Sequence, residues 1–151
     1  MRIRDLAAAE HDAAIALWHA AGLTRPWNDP RADLERAVRG PSSTVLVAVP
    51  DDGDGLLGTV MAGHDGHRGW VYYLASAAPG HGVGRALMAA AETWLATSVP
   101  KVQLMVRADN AAASAFYERL GYRRSDVTVW QRVIPADPVR PTDGTLLGSQ
   151  E

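Results

Sequence analysis

The residues that decide the fold are Pro79-Gly80-His81-Gly82-Val83-Gly84-Arg85-Ala86-Leu87, which follow a run of β-branched and aromatic residues at 70–75. The run at 70–75 predicts a strand, and the glycines predict a tight turn. Beyond the turn, apolar residues recur at the spacing of one buried helix face, at Val83, Leu87, Ala90, Ala91, Trp94 and Leu95. The first N–H groups of such a helix lack intrahelical partners, so this arrangement indicates an anion site. Taken alone, it also fits a tight connection that binds nothing.

Two phosphate-binding fingerprints do not fit the glycine turn. A Walker loop has Lys and then Ser or Thr after its last glycine, whereas Arg85 and Ala86 follow Gly84 here. A dinucleotide fingerprint has the spacing G-x-G-x-x-G, and counted from Gly80 and Gly82 its third glycine falls on Arg85. The turn therefore belongs to neither of these two types.

Outward from the turn, the chain predicts an α+β domain. Asp29 before Pro30 is an N-cap followed by the residue best suited to the first helical position. Gly121 after Leu120 is typical of a helix end. The predicted strands are 1–5, 44–49, 56–62, 70–75, 101–106 and 126–134, and the predicted helices are 8–22, 29–39, 83–99 and 110–120. The element order is β-α-α-β-β-β-α-β-α-β around a mixed sheet.

Composition and charge limit what the chain can be. Its 151 residues, 47% hydrophobic, suit one domain, and a net charge of −2 predicts no binding to nucleic acid or anionic membrane. No apolar stretch approaches the ~20 residues of a membrane helix. Cysteine is absent, which excludes a thiol nucleophile, disulfides and cysteine-ligated zinc, and fits a reducing compartment. We therefore expect a cytoplasmic domain over 1–134 without a metal, and a disordered tail over 135–151.

Two motifs resemble those of the GNAT superfamily of N-acetyltransferases. Residues 82–87, Gly-Val-Gly-Arg-Ala-Leu, are similar to the second half of its acetyl-CoA motif. Residues 110–122, Asn-Ala-Ala-Ala-Ser-Ala-Phe-Tyr-Glu-Arg-Leu-Gly-Tyr, resemble its more specific N-x-x-A-x-x-F-Y-E-x-L-G-F/Y helix. The segments 25–30, 65–69 and 72–74 resemble an uncharacterised bacterial (YpeA-like) subgroup. The resemblance implies the GNAT fold, with a mostly antiparallel sheet of six to seven strands and about four helices.

The resemblance also implies acetyl-CoA as the cofactor and a set of residues that bind it. These are Leu74, Ala75, Ser76, Gly80, His81, Gly82, Val83, Gly84, Arg85, Asn110 and Ala113. Asn110 is equally explained as a helix N-cap, and both roles are compatible. One departure concerns Pro79, which stands where the family usually has Arg or Gln and offers a pyrophosphate neither a charge nor an N–H. Binding would then rest on His81, Arg85 and the remaining amides.

By the same resemblance, Tyr117 is the general acid that protonates the departing thiolate. A phenol with a reference pKa near ~10 stays protonated at neutral pH and can donate that proton. The periodicity of its helix alone favours a different interpretation, in which Tyr117 is a core residue. No carboxylate occurs on the strand at 70–75, so the general base stays open among His64, Asp65, His67 and water.

The acceptor is expected to be a primary amine, either a small molecule, a peptide N-terminus or a lysine. The first two helices of the family flank the acceptor pocket, which implies Arg25, Trp27 and Asn28 as candidate residues. Asp65, in the turn before the strand at 70–75, is a further candidate. Trp27 is equally explained as a hydrophobic staple beside the Asp29 cap. Two other functions stay open, an acyl-CoA-binding sensor or partner domain without turnover, and an interaction domain without the cofactor. Dimers are common in relatives, so a homodimer is also expected.

Overall fold

A sheet of five strands runs through the part of the chain that the computed structural model describes, residues 1–134. The elements in chain order are β1 (Arg2–Asp5), α1 (His11–Ala20), α2 (Pro30–Arg39), β2 (Ser43–Val49), β3 (Gly58–His64), β4 (Gly69–Ser76), α3 (Val83–Ala96), β5 (Val102–Leu104) and α4 (Ala111–Arg119). A short 3₁₀ turn, Ala8–Glu10, precedes α1. The predicted tail, 135–151, lies outside the described residues. Within 1–134, no helix is both long and apolar enough to cross a membrane.

The strands lie in the order β1-β2-β3-β4-β5. The first four pair antiparallel with their sequence neighbours, and β5 pairs parallel with β4. The parallel pairing is short, because only 69–71 of β4 lie opposite 102–104 of β5. The rest of β4, from residue 72 onward, continues without β5 beside it. The sheet therefore opens between these two strands.

Helices cover both faces of the sheet, as the continuous burial of residues 45–49 in β2 and 58–62 in β3 requires, because successive side chains in a strand point to opposite faces. Leu46 and Ala48 of β2 pack with α3 in one core, which includes Leu87 and Leu95. Val45 of the same strand faces the other core, which α1 and α2 build from Ala14, Ile15, Trp18, Leu34 and Ala37. The sequence-predicted α+β architecture is confirmed.

Local capping chemistry fixes where the helices begin. The Asp29 carboxylate accepts the N–H groups of Arg31 and Ala32, at 2.9 and 3.2 Å, and so starts α2 as predicted. The Asn110 side chain accepts the N–H of Ala113 at 3.0 Å and starts α4. The N-cap prediction for Asn110 is therefore confirmed.

Strand β4 carries a bulge in which Tyr73 and Leu74 oppose a single residue of β3, since Ala75 pairs with Thr59 and Tyr72 with Met61. Tyr73 has a φ of +50°, which is uncommon for a residue other than glycine. Two buried hydrogen bonds through the Thr59 hydroxyl, called the Thr59 relay here, hold Tyr73 in this conformation. Trp18 Nε1 donates to the Thr59 hydroxyl at 2.8 Å, and that hydroxyl donates to the Tyr73 carbonyl at 3.1 Å. The Trp18 and Tyr73 rings stack with centroids 4.0 Å apart.

The Thr59 hydroxyl is expected to contribute measurably to stability. Thr59→Val keeps the shape of the side chain but leaves the buried Trp18 N–H and Tyr73 carbonyl without their partner. The free energy of unfolding should fall by about 1–3 kcal/mol in urea denaturation. Thr44→Val on β2 is the matched control, because the Thr44 hydroxyl bonds to Asp5 near solvent and its loss should change stability little. Equal effects of the two substitutions would contradict the role of the relay.

The strand predicted at 126–134 is wrong, and the sheet has five strands within the described residues instead of six or seven. Residues 127–134 form no strand, and their apolar side chains are exposed, with Trp130 at 90%. Alternating hydrophobicity describes which face a side chain takes, but a strand also needs an edge to pair with. Strand β5 offers only a short edge of three residues, against the six predicted over 101–106.

Candidate active site

The opening between β4 and β5 forms a cavity of about 710 Å³, called the strand groove here. One wall is residues 71–76 of β4 with Ala77 after it, and the other is 105–107, which follow β5. The end of α1 and the loop after it close one side, and Asn110, Ala113 and Tyr117 of the α4 region contribute the remaining lining. The bulge at Tyr73 lies in the first wall. Parting of two parallel strands therefore creates this recess.

Many of the sequence-predicted site residues meet in this groove. Those that line it are Arg25, Leu74, Ala75, Ser76, Asn110, Ala113 and Tyr117. The hydroxyl of Ser76 is buried and has no hydrogen-bond partner within residues 1–134. An unpaired buried hydroxyl is costly, so a polar ligand group at this wall would satisfy it.

The glycine turn follows Pro79, which lines the groove, but the predicted cofactor residues at 80–85 do not line it. Gly80 and Gly82 have φ of +89° and +79°, and a Cβ at either position would meet open space. No side chain caps Gly82, and its carbonyl accepts the N–H of Ala86 at 3.1 Å. The N–H groups of Val83, Gly84 and Arg85 therefore precede the first intrahelical bond and can donate hydrogen bonds to an anion.

Gly84 has a different role from the glycines before it. A Cβ there would come within 3.3 Å of the Phe116 ring, so its small size allows α4 to pack against the start of α3. This contact brings the second motif of the sequence, on α4, against the first.

Tyr117 lines the groove, whereas Tyr122, its neighbour in space, does not. Burial raises the pKa of Tyr117, which keeps its phenol protonated. No hydrogen bond engages the Tyr117 hydroxyl within the described chain. The Tyr122 hydroxyl instead donates to Glu92 at 2.7 Å, and its ring contacts that of Tyr117 edge to face. Within the described residues, Tyr117 is thus the phenol of this pair whose proton is not engaged in a hydrogen bond.

The candidate acceptor residues separate from one another. Arg25 lines the strand groove, and its guanidinium donates to the carbonyls of Gly22 and Thr24. Asn28 lines a second cavity, described below. Trp27 is 73% exposed and lines neither cavity, which also leaves it unpacked as a staple.

Asp65 is not brought to the groove. Its carboxylate accepts the N–H groups of His67 and Arg68 in the β3–β4 turn. These bonds lower the pKa of Asp65. Strand β4 starts at Gly69, and at ~3.3 Å per residue its bulge at Tyr73 lies roughly 13 Å farther along the strand. The other base candidates, His64 and His67, also lie near the start of β4. Neither of them lines either cavity.

A second cavity of about 560 Å³, called the helix cavity here, lies between α2 and the sheet. It contains an acidic side chain that the sequence interpretation missed, Asp33, whose carboxylate accepts the Tyr73 hydroxyl at 2.8 Å. In the sequence, Asp33 with Arg36 three residues later looks like an ordinary solvated helix pair. The only sequence signal for Tyr73 was its place in the Tyr72-Tyr73-Leu74 segment.

Comparison with known proteins agrees with this geometry. The model of the acetyltransferase (GNAT) family matches residues 7–122. Acetyltransferase ECA0875 of Pectobacterium atrosepticum is 41% identical over 138 residues, which cover 89% of this chain and 96% of that protein.

Solved structures share the fold at lower identity. A tetramutant of the BH1408 protein from Bacillus halodurans has a TM-score of 0.71 at 22% identity, over 88% of this chain and 100% of that one. AAC(6')-Iy in complex with the bisubstrate analog CoA-S-monomethyl-acetylneamine also gives 0.71, at 16% identity, over 88% and 97% of the two chains. The chain therefore belongs to the GNAT family of acetyltransferases, whose acyl donor is acetyl-CoA.

Proposed function

We propose that the chain is an N-acetyltransferase that transfers acetyl from acetyl-CoA directly to a primary amine, with Tyr117 as the general acid. The observation that carries the proposal is the strand groove, whose lining includes both the bulged part of β4 and the Tyr117 side chain. A donor bound along β4 would present its reacting end beside that phenol. Direct transfer also suits a chain without cysteine.

The turn before α3 suits the diphosphate of the donor. Three N–H groups, those of Val83, Gly84 and Arg85, precede the first intrahelical bond, and the helix dipole adds partial positive charge. Gly80 and Gly82 leave the backbone uncovered, so a phosphate can approach it closely. These features support binding although Pro79 replaces the usual Arg or Gln. The bound donor supplies the acetyl thioester.

The exposed stretch of β4 suits the rest of the donor. The Ser76 hydroxyl, buried and unpaired, would hydrogen-bond an amide of the pantetheine arm. From Leu74 to Ser76, β4 has no β5 residue opposite it, so backbone N–H groups that face this edge have no strand partner there. A fixed N–H aimed at the carbonyl oxygen stabilises the negative charge that develops there during attack.

Two proton transfers are needed, one to the leaving sulfur and one from the amine, and the groove is equipped differently for each. The Tyr117 phenol, kept protonated by burial, is suited to give its proton to the sulfur as it leaves. No carboxylate or histidine is among the described residues that line the strand groove. We therefore propose that the amine reaches the groove in its neutral form or loses its proton to water.

The same lack of a base in the groove favours one alternative, an acyl-CoA-binding sensor or partner domain without turnover. A cytoplasmic location is part of either proposal, and the cysteine-free sequence supports it. The homodimer expected from relatives stays a prediction.

Two measurements test the proposal. Isothermal titration of the purified chain with acetyl-CoA should show saturable binding. Release of free thiol should then depend on an added amine, tested with butylamine, 1,4-diaminobutane and free lysine. Binding without thiol release would support the sensor alternative, and no binding at all would contradict both.

A further inference from the structure

The helix cavity and the strand groove share a wall. Four side chains line both recesses, namely Leu23, Tyr72, Tyr73 and Met105. A molecule in the helix cavity therefore lies directly across Tyr72 and Tyr73 from the space in which the acetyl group would be held. Because of this shared wall, the helix cavity, as the described residues form it, is well placed to bind the part of an acceptor that does not react.

Asp33 is the only carboxylate among the described residues that line the helix cavity. Its side chain is 24% exposed, so it is partly withdrawn from water. One carboxylate oxygen accepts the Tyr73 hydroxyl at 2.8 Å, and the other accepts the guanidinium of Arg36. The remaining polar lining is neutral, from Asn28 and Ser43.

The negative charge of Asp33 is held in a fixed place by Tyr73. Burial first, and then the bond to Asp33, raise the pKa of Tyr73, so the phenol stays neutral and donates to the carboxylate. The Tyr73 ring is itself fixed by stacking on Trp18. The Asp33 carboxylate is therefore held at the cavity wall by Tyr73, a side chain that is itself fixed.

The other partner of Asp33 is easily replaced. Arg36 is 67% exposed, and an ion pair with one exposed partner contributes little. An ammonium group that enters the cavity could take the place of the guanidinium on the carboxylate. It would also lie near the rings of Tyr72 and Tyr73, which favour a cation.

We propose that Asp33 is a specificity residue that binds a second cationic group of the acceptor, so that the preferred acceptor is a primary amine carrying another protonated nitrogen. The inference rests on the proposed transferase function and names its substrate class. In this arrangement the second nitrogen sits on Asp33 while the reacting amine extends past Tyr73 into the strand groove.

The test compares kcat/KM for 1,4-diaminobutane with that for butylamine, which has the same chain length and one charge fewer. The wild-type chain should prefer the diamine by about tenfold, as expected for a charge-assisted hydrogen bond. Asp33→Asn should abolish the preference by raising KM for the diamine, with KM for acetyl-CoA unchanged. A wild type without the preference, or a preference that survives in Asp33→Asn, would overturn the proposal.

Two further variants provide a control and an independent test. Glu35→Gln removes a carboxylate from the same helix that pairs with Arg39 and lines neither cavity, so it should leave the preference unchanged. Arg36→Gln frees the Asp33 carboxylate of its competitor and should raise the preference. If Asp33→Asn fails to fold, as judged by thermal denaturation, a fall in Arg36→Gln would overturn the proposal.

A binding measurement separates this inference from the transferase assignment. Titration of 1,4-diaminobutane into the chain saturated with CoA should show binding that weakens about tenfold in Asp33→Asn. Failure of all amines to be acetylated would contradict the proposed function alone. Absence of diamine binding to the wild type would contradict the role of Asp33, whatever the turnover.

Discussion

Tyr117→Phe is expected to lower kcat by about 100-fold or more while the affinity for acetyl-CoA stays nearly the same. The substitution removes only the hydroxyl that lines the strand groove, and positioned proton donors contribute about 10²–10⁴ to rates. Thiol release under saturating amine gives kcat, and calorimetry gives the affinity. Burial raises the pKa of Tyr117, so in the wild type this phenol should cause no fall in rate as pH rises toward 10.

Tyr122→Phe is the matched control, because it removes a phenol hydroxyl from the ring that contacts Tyr117. That hydroxyl is bonded to Glu92, so its loss should lower stability modestly without a comparable loss of turnover. If Tyr117→Phe retains full turnover, Tyr117 is a core residue of α4 and the general acid lies elsewhere.

Gly58→Ala is expected to have the largest effect on stability, lowering the free energy of unfolding by about 3 kcal/mol. A Cβ at Gly58 would stand 2.6 Å from the Ala75 carbonyl oxygen and 2.7 Å from a methyl of Val83. The carbonyl belongs to the backbone of β4 and cannot turn away, so the strand or α3 must shift. In a thermal melt of a chain this long, the change is about 6–12 °C.

Gly63→Ala on the same strand is the control for Gly58. Its Cβ would meet Ser43 at 3.3 Å, which a shift of a few tenths of an ångström relieves. The melting temperature should therefore fall much less. Equal melting temperatures for the two variants would show that β4 and α3 adjust freely at Gly58.

Features governed by neighbouring residues were predictable from the sequence. The Asp29 cap, the Asn110 cap and the glycine turn each depend on chemistry within a few positions, and each is found as predicted. The meander of β2, β3 and β4 follows from turn-rich segments between apolar runs. The residues from Leu74 to Ser76, predicted to bind the cofactor, line the same cavity as Tyr117.

Features that join distant residues were not predictable. The Trp18–Thr59 hydrogen bond joins residues 41 positions apart and the Asp33–Tyr73 bond joins residues 40 apart, so no local sequence pattern predicts either one. The first contact joins the hydrogen bonds at the bulge of Tyr73, and the second positions the Asp33 carboxylate in the helix cavity. The strand predicted at 126–134 failed for the converse reason, since its local pattern was present and its partner edge was not.

The Thr59 relay has a consequence for any ligand of the strand groove. Hydrogen bonds in the core hold the backbone of Tyr73. The shape of this wall is therefore formed when the chain folds, before any ligand binds. A molecule that binds there meets a preorganised surface and loses little affinity to ordering it. Residues of α1 and β3 that no ligand touches thus govern how tightly the groove can bind.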